Sequence, residues 1–195
     1  QRQMCIRDRF KPDTGFWLNG RNVRLVGAAR HQDRAGIGNA LTAAEHEEDM
    51  QILRDMGANT VRLAHYQHAQ YFYDLCDKYG LVAWAEIPYI TEHMPEATAN
   101  TLSQMEELVL QNYNHPSIIC WGLSNEITVT TGVTENLTAN HRLLNDLCHR
   151  LDSTRPTTMA HAFMLDPNDP FVQLPDICSY NPVSYTHLRA HETLS

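Results

Sequence analysis

Apolar residues come in two patterns along this chain. Val23 to Ala28, Thr60 to Ala64, Leu81 to Ile87 and Ile118 to Leu123 are short, nearly unbroken apolar runs, the signature of strands buried on both faces. Between them apolar residues recur every three or four positions. Met50, Leu53 and Met56; Phe72, Leu75, Cys76 and Tyr79; Leu102, Met105, Leu108 and Val109; and Leu137, Leu144, Leu147, Cys148 and Leu151 each stripe one face of a predicted helix. Thr42 with Glu45 forms a capping box for the first helix, Gly57 and Gly80 stop the first two, the third ends near Asn112, and Pro156 closes the fourth. Thr157–Ala160 and Ile177–Tyr180 are predicted as the fifth and sixth strands, and Phe16–Gly20 as a short strand entering an Asn-Gly turn.

Doubly buried strands alternating with helices imply a parallel sheet covered by helices, either an open doubly wound sheet or a closed barrel. No Gly-rich phosphate fingerprint follows the first strand, which disfavours a nucleotide-binding sheet. Polar residues instead end strand after strand: Arg30, His31 and Asp33; Arg62, His65 and Tyr66; Glu86; Asn125 and Glu126; His161; Asn181. A (β/α)8 TIM barrel gathers its chemistry on that one face, so an incomplete α/β barrel with about six of eight strands is predicted. Residues 1–9 and 183–195 carry neither period nor caps and resemble translated sequencing-adapter read-through. Both are expected to be non-native tails, with the partial barrel domain spanning residues 10–182.

With 43% apolar and 19% charged residues among 195, the chain can build a core. Fifteen basic against 23 acidic residues give a net charge of −8, and no basic run tracks a phosphate backbone. Nucleic acid is therefore not an expected partner, and a neutral or polar ligand suits the balance better. No apolar run reaches the roughly 18 residues of a membrane span. Of the cysteines, Cys76, Cys120 and Cys148 sit in apolar segments as core thiols would, against a disulfide or zinc reading; Cys5 and Cys178 complete the set.

Glu126 is the sharpest chemical feature, a carboxylate at the end of the buried run Ile118–Leu123. Partial burial favours the protonated carboxyl, which suits a proton donor near neutral pH. Asn125 offers an amide that can bind a sugar hydroxyl; the competing reading is a helix-capping Asn-Glu pair. Arg62 could orient a neighbouring carboxylate or make a structural ion pair. His65, Tyr66 and His68 follow it. His31 and Asp33 could bind hydroxyls or a cation, though a metal-dependent hydrolase would want a His-x-His pair where His31-Gln32-Asp33 has one histidine. His115-Pro116 reads as a rigid turn, Trp84 and Trp121 as core residues, and Asn136-Leu137-Thr138 as a weak glycosylation sequon.

Leu18-Asn19-Gly20, Arg30-His31-Gln32-Asp33 and Met56–Arg62 with His65-Tyr66 resemble the first two barrel strands of family 2 glycoside hydrolases. Asn114–Ile118 followed by Trp121–Glu126 is similar to that family's acid/base signature, and the likeness runs from about Phe10 to Asn181. The resemblance implies a retaining glycosidase with a carbohydrate substrate. Glu126 would be the acid/base residue and Asn125 would hold the hydroxyl beside the anomeric carbon. His31 and His65 would line the sugar pocket, and Arg62 would stand beside the nucleophile. That nucleophile is a second carboxylate on the seventh strand, expected beyond Asn181. Gln32–Gly36 and His65–His68 look most like bacterial β-galactosidases, with β-glucuronidase and β-mannosidase as alternatives on the same scaffold, and an inactive or carbohydrate-binding fragment as the alternative for a chain without its nucleophile. Some members hold magnesium after the third strand, where Glu86, Glu92 and His93 stand at a different spacing; no other cofactor is implied. The resemblance leaves room for a homo-oligomer and leaves the compartment, bacterial cytoplasm or periplasm, open.

Overall fold

The structure, a computed structural model, describes residues 9–181. Strands β1 (Arg9–Lys11), β2 (Gly15–Leu18) and β3 (Arg21–Asn22) form a small antiparallel sheet. Strands β4 (Gly27–Arg30), β5 (Thr60–Leu63), β6 (Val82–Glu86), β7 (Ile118–Asn125), β8 (Thr157–Ala162) and β9 (Ile177–Asn181) form a six-stranded parallel sheet in sequential order. It curls into an incomplete (β/α)8 barrel. Helices α1 (Ala43–Asp55), α2 (Gln70–Tyr79), α3 (Thr98–Asn112) and α4 (Glu135–Leu151) connect the middle strands, while β8 reaches β9 through turns instead of a helix. The expected tails lie outside the described residues except for Arg9, which pairs with Trp17 in the small sheet.

Two apolar layers sandwich the barrel strands. Outward residues such as Val61, Leu63, Trp121 and Leu123 meet Phe72, Met105, Leu108, Leu137 and Leu144 from the helices in one buried core. On the other face Phe16 packs with Val82, Ile119 and Cys120, joined by Phe10, Leu18 and Trp84, so the small sheet covers that side of the strands. Complete burial of each Leu or Phe stabilises the fold by about 2 kcal/mol. The Asn19-Gly20 turn has positive φ at both residues, 50° and 79°, as a two-residue hairpin requires, and pairs Leu18 with Arg21.

Several predicted boundaries move. Only Gly27 and Ala28 of the predicted first strand lie in β4. Val23 N–H instead donates to Phe16 O (2.9 Å), and Val26 exchanges bonds with Asn59 at 2.8 and 2.9 Å, so hairpin and loop partners hold this stretch. Helix α4 ends at Leu151, before Pro156, because Asp152 leaves helical geometry at φ −142°. The carboxylate of Asp152 then accepts from Trp121 Nε1 (3.0 Å) and Arg155 (2.7 Å). The Arg155 fork also donates to the carbonyls of Ile118, Tyr113 and His115, locking the N-terminal end of β7. Strand β7 runs two residues beyond Leu123, and this carries Asn125 to the sheet's C-terminal end.

Candidate active site

The C-terminal ends of β5, β6 and β7 converge on one buried carboxylate. Glu86, 1% exposed, accepts from Arg62 twice, Nε to Oε2 at 2.9 Å and NH2 to Oε1 at 3.0 Å. The same terminal nitrogen donates to Asn125 Oδ1 at 2.7 Å. His65 Nδ1 lies 2.6 Å from Glu86 Oε1. Arg62 also lies over the Trp84 ring, 4.6 Å from its centroid. The bidentate fork holds the guanidinium plane, and the plane in turn fixes the Asn125 amide.

Glu126 follows at once, half-buried and in the left-handed region at φ 45°. Such a conformation costs a non-glycine residue of order 1–3 kcal/mol and persists where its surroundings over-determine it. Here they do. Glu126 N–H donates to Ala160 O on β8 (2.8 Å), and Asn125 N–H donates to Tyr89 O in the loop after β6 (3.0 Å). Both neighbouring elements therefore fix the peptide that turns the Glu126 side chain out of the strand.

Helix α4 buttresses this junction from behind. His141 Nδ1–H donates to Leu137 O (2.9 Å), which leaves Nε2 to accept from the Ser124 hydroxyl at 2.8 Å. Its ring stacks on Tyr89 at 5.1 Å. The Tyr89 hydroxyl bonds His93 and accepts from Asn140 (3.1 Å), and burial pushes it up to about 12. Burial likewise pushes His141 down to about 3, so the stacked pair of Tyr89 and His141 stays uncharged at neutral pH.

Of the sequence-predicted residues, Arg62, His65 and Asn125 meet directly, Glu126 is the next residue along the chain, and exposed His31 joins through ring contacts with His65 (5.0 Å) and Tyr66 (6.4 Å). Asp33 does not join them. It is exposed and lines, with Arg30 and Asp49, a groove between β4 and α1. Arg30 points into the helix layer, where it pairs with Asp49 at 2.7 Å and covers the Phe72 ring. His68 accepts from Arg30 at its Nδ1 and is pushed down to about 3 by burial, a structural residue. Tyr66 accepts from Gln32 N–H (2.9 Å).

The residues in the magnesium neighbourhood do not fit a cation. Glu86 is spent on Arg62 and His65, Glu92 is exposed, and His93 bonds Tyr89 through one nitrogen and Asn136 through the other. Asn136, in the sequon, thus lies in the first turn of α4 with its amide oxygen engaged by His93. Among the described residues Asp74, Asp77 and His115 do come together, but His115 already bonds Asp77 and Gln70. The described cysteines are free thiols, and burial pushes Cys76 and Cys148 up to about 12, which makes them inert core groups. Trp121 faces the helices and Trp84 the other side of the sheet, as core residues.

Sequence reasoning passed over Glu86 as a hub and missed Tyr89 and His141 altogether. A polar His141 between Leu137 and Leu144 on an apolar helix face was the available signal.

Comparison with known proteins adds the family. Residues 11–190 match the model of the glycosyl hydrolases family 2 TIM barrel domain. Over 158 residues the chain is 48% identical to a β-glucuronidase of Bacteroides fragilis, covering 76% of this chain and 22% of that protein. It is 36% identical over 152 residues to a β-galactosidase of Thermoanaerobacterium thermosulfurigenes, covering 76% of this chain and 20% of that protein. Among solved structures, an FMN-binding β-glucuronidase from Facaelibacterium prausnitzii L2-6 superposes with a TM-score of 0.86 at 46% identity, over 89% of this chain and 27% of that one. The chain spans about a fifth of the length of these curated relatives.

Proposed function

Because the chain belongs to glycosyl hydrolase family 2, as part of its TIM barrel domain, we propose that the whole protein is a retaining glycosidase that hydrolyses β-D-glucuronides. The observation that carries the catalytic reading is the placement of Glu126. It follows β7 directly after the Arg62–Glu86–His65–Asn125 cluster, with its backbone anchored on both sides. In this role Glu126, protonated, gives its proton to the departing glycosidic oxygen while a second carboxylate attacks the anomeric carbon. It then takes a proton from the water that hydrolyses the glycosyl–enzyme intermediate. Glu86 is unsuited to the attack, since both its oxygens are already engaged. The nucleophile is assigned to a strand beyond the described residues, about 5 to 5.5 Å from the acid, as retention requires. Asn125 holds the sugar 2-hydroxyl, and His65 and His31 line the sugar pocket; the exposed Asp33 carries no such role in this reading.

The sugar assignment rests on the β-glucuronidase relatives, one 48% identical and another, of solved structure, 46% identical in sequence. A β-galactosidase, the branch that residues 32–36 and 65–68 resemble, is the second reading, supported by a relative at 36%. Two measurements on the whole protein test these points. Glu126→Gln should remove turnover of glycosides with poor leaving groups and spare activated aryl glycosides; equal loss on both would end the acid/base assignment. For wild type, kcat/KM on nitrophenyl β-D-glucuronide should exceed that on the β-D-galactoside. The reverse order selects the second reading.

A further inference from the structure

We propose that Glu86 is a positioning residue that fixes the hydrogen-bond polarity of the sugar site: through Arg62 it turns the Asn125 oxygen to the guanidinium and its N–H donors to the substrate, and it holds the His65 proton at Nδ1 so that Nε2 is left as an acceptor. The inference rests on the glycosidase reading above and deepens it, since nothing in the resemblance gives Glu86 a role beyond a neighbour of a cation.

The protons each group carries decide which contacts can form. Arg62 has no lone pair to offer, so every contact it makes is a donation. Its NH2 nitrogen carries two hydrogens, and both are spent, one on Glu86 Oε1 (3.0 Å) and one on Asn125 Oδ1 (2.7 Å). The Asn125 oxygen must therefore face the guanidinium, which takes one of its lone pairs and fixes the amide with its Nδ2 amino group on the opposite side, as the donor toward a substrate. The same NH2 nitrogen is 3.3 Å from His65 Nδ1 but has no third hydrogen to give it. Nδ1 is also 2.6 Å from Glu86 Oε1, an oxygen of a carboxylate that already accepts from the guanidinium. That short contact needs a proton on the nitrogen, so a neutral His65 ring must carry it at Nδ1 and present a bare Nε2. A hydroxyl at Asn125 is then held as an acceptor, and one at His65 as a donor.

Glu86 is built in for this task. It is 1% exposed, and Gly122 on the adjacent strand leaves the space it fills, because a Cβ there would stand 2.4 Å from Glu86 Cβ. A buried carboxylate with every oxygen engaged and no route to solvent holds its partners more rigidly than an exposed pair could.

The test uses the whole protein, a nitrophenyl glycoside and its 2-deoxy counterpart. The readout is the ratio of kcat/KM on the two, which a merely structural lesion would not move because it would slow both substrates alike. Asn125→Ala should collapse the wild-type preference for the 2-hydroxy sugar by at least about tenfold, the rate equivalent of one lost transition-state hydrogen bond. Glu86→Gln should collapse the same ratio by a similar factor, and the double variant should be no worse than either single one. If Asn125→Ala collapses the ratio and Glu86→Gln slows both substrates equally, the positioning role is overturned. If Asn125→Ala leaves the ratio intact, the assignment of Asn125 falls first and takes this proposal with it. The imidazole 15N spectrum of the wild-type protein, with the His65 signals assigned by their loss in His65→Gln, needs no folded Glu86 variant. A proton on Nδ1 with Nε2 bare is expected; the opposite tautomer, or a ring protonated at both nitrogens, would overturn the proposal.

Discussion

At the scale of single residues, side-chain parity decides what belongs to the site. Arg30 and Arg62 both stand at strand ends rich in polar residues, yet Arg30 pairs with Asp49 of α1 and Arg62 with Glu86 of β6. The sequence made Arg62, His65, Asn125 and Glu126 legible because their motif is local and continuous. It hid the role of Glu86, which depends on three strands meeting, and it hid why residue 122 is glycine. A Cβ at Gly122 would lie 2.4 Å from both Trp84 Nε1 and Glu86 Cβ, and 3.2 Å from the backbone of Glu86. Neither neighbour can retreat, since Glu86 is held by Arg62 and Trp84 lies beneath the Arg62 guanidinium. Gly122→Ala should therefore destabilise the barrel by about 1–3 kcal/mol, the usual overpacking cost. It should also lower kcat/KM by disturbing the fork. Thermal unfolding and aryl glycoside kinetics of the whole protein check both effects, and an unchanged midpoint with an unchanged rate would contradict the packing argument.

At the scale of elements, existence and order were legible while ends were not. Six parallel strands and four helices follow the two hydrophobic periods because the inner strands β6, β7 and β8 are buried on both faces and each helix on one. The misplaced ends have tertiary causes: Asn59 takes the backbone of Val26 out of the first strand, and Asp152 halts α4 to serve Trp121 and Arg155. The seams between strands and helices also bury histidines, a feature with consequences for pH. Burial pushes His68 and His141 from 6.5 down to about 3, and His161 down to about 4. A folded pKa below the unfolded value means that the unfolded chain binds more protons, so the contribution of these groups is fully present above 6.5 and is lost as the pH falls toward 3–4. The urea midpoint of the barrel should thus drop steadily between pH 7 and roughly pH 4.5, within the window those shifts define. His141→Gln should make that drop shallower, at some cost in stability at pH 7 because Ser124 and Leu137 lose their shared partner. A midpoint as pH-sensitive in the variant as in wild type would remove His141 from the account.

At the scale of the whole molecule, the described sheet is open. An eight-stranded barrel closes by pairing its first strand with its last, which removes every edge. Here β4 pairs only with β5, and β9 only with β8, so each has a free edge among the described residues. Beside the β4 edge lie apolar side chains that face water, Val26 at 52%, Ile52 at 51% and Met56 at 64% exposure. Unpaired backbone donors and acceptors next to apolar surface are a template for association with other chains. The isolated 195-residue chain should consequently self-associate at micromolar concentration and hydrolyse neither glucuronide nor galactoside, because among the described residues no free carboxylate stands opposite Glu126 to attack. Size-exclusion chromatography with light scattering checks the first expectation and aryl glycoside assays the second. Ile52→Lys, placed on the exposed face of α1, should lower the associated fraction without restoring turnover, since it adds charge at the edge and nothing to the chemistry. A monomeric chain that melts cooperatively would mean that the six strands and their small antiparallel sheet are self-sufficient. Hydrolysis by that monomer would mean that the nucleophile already lies within this sequence.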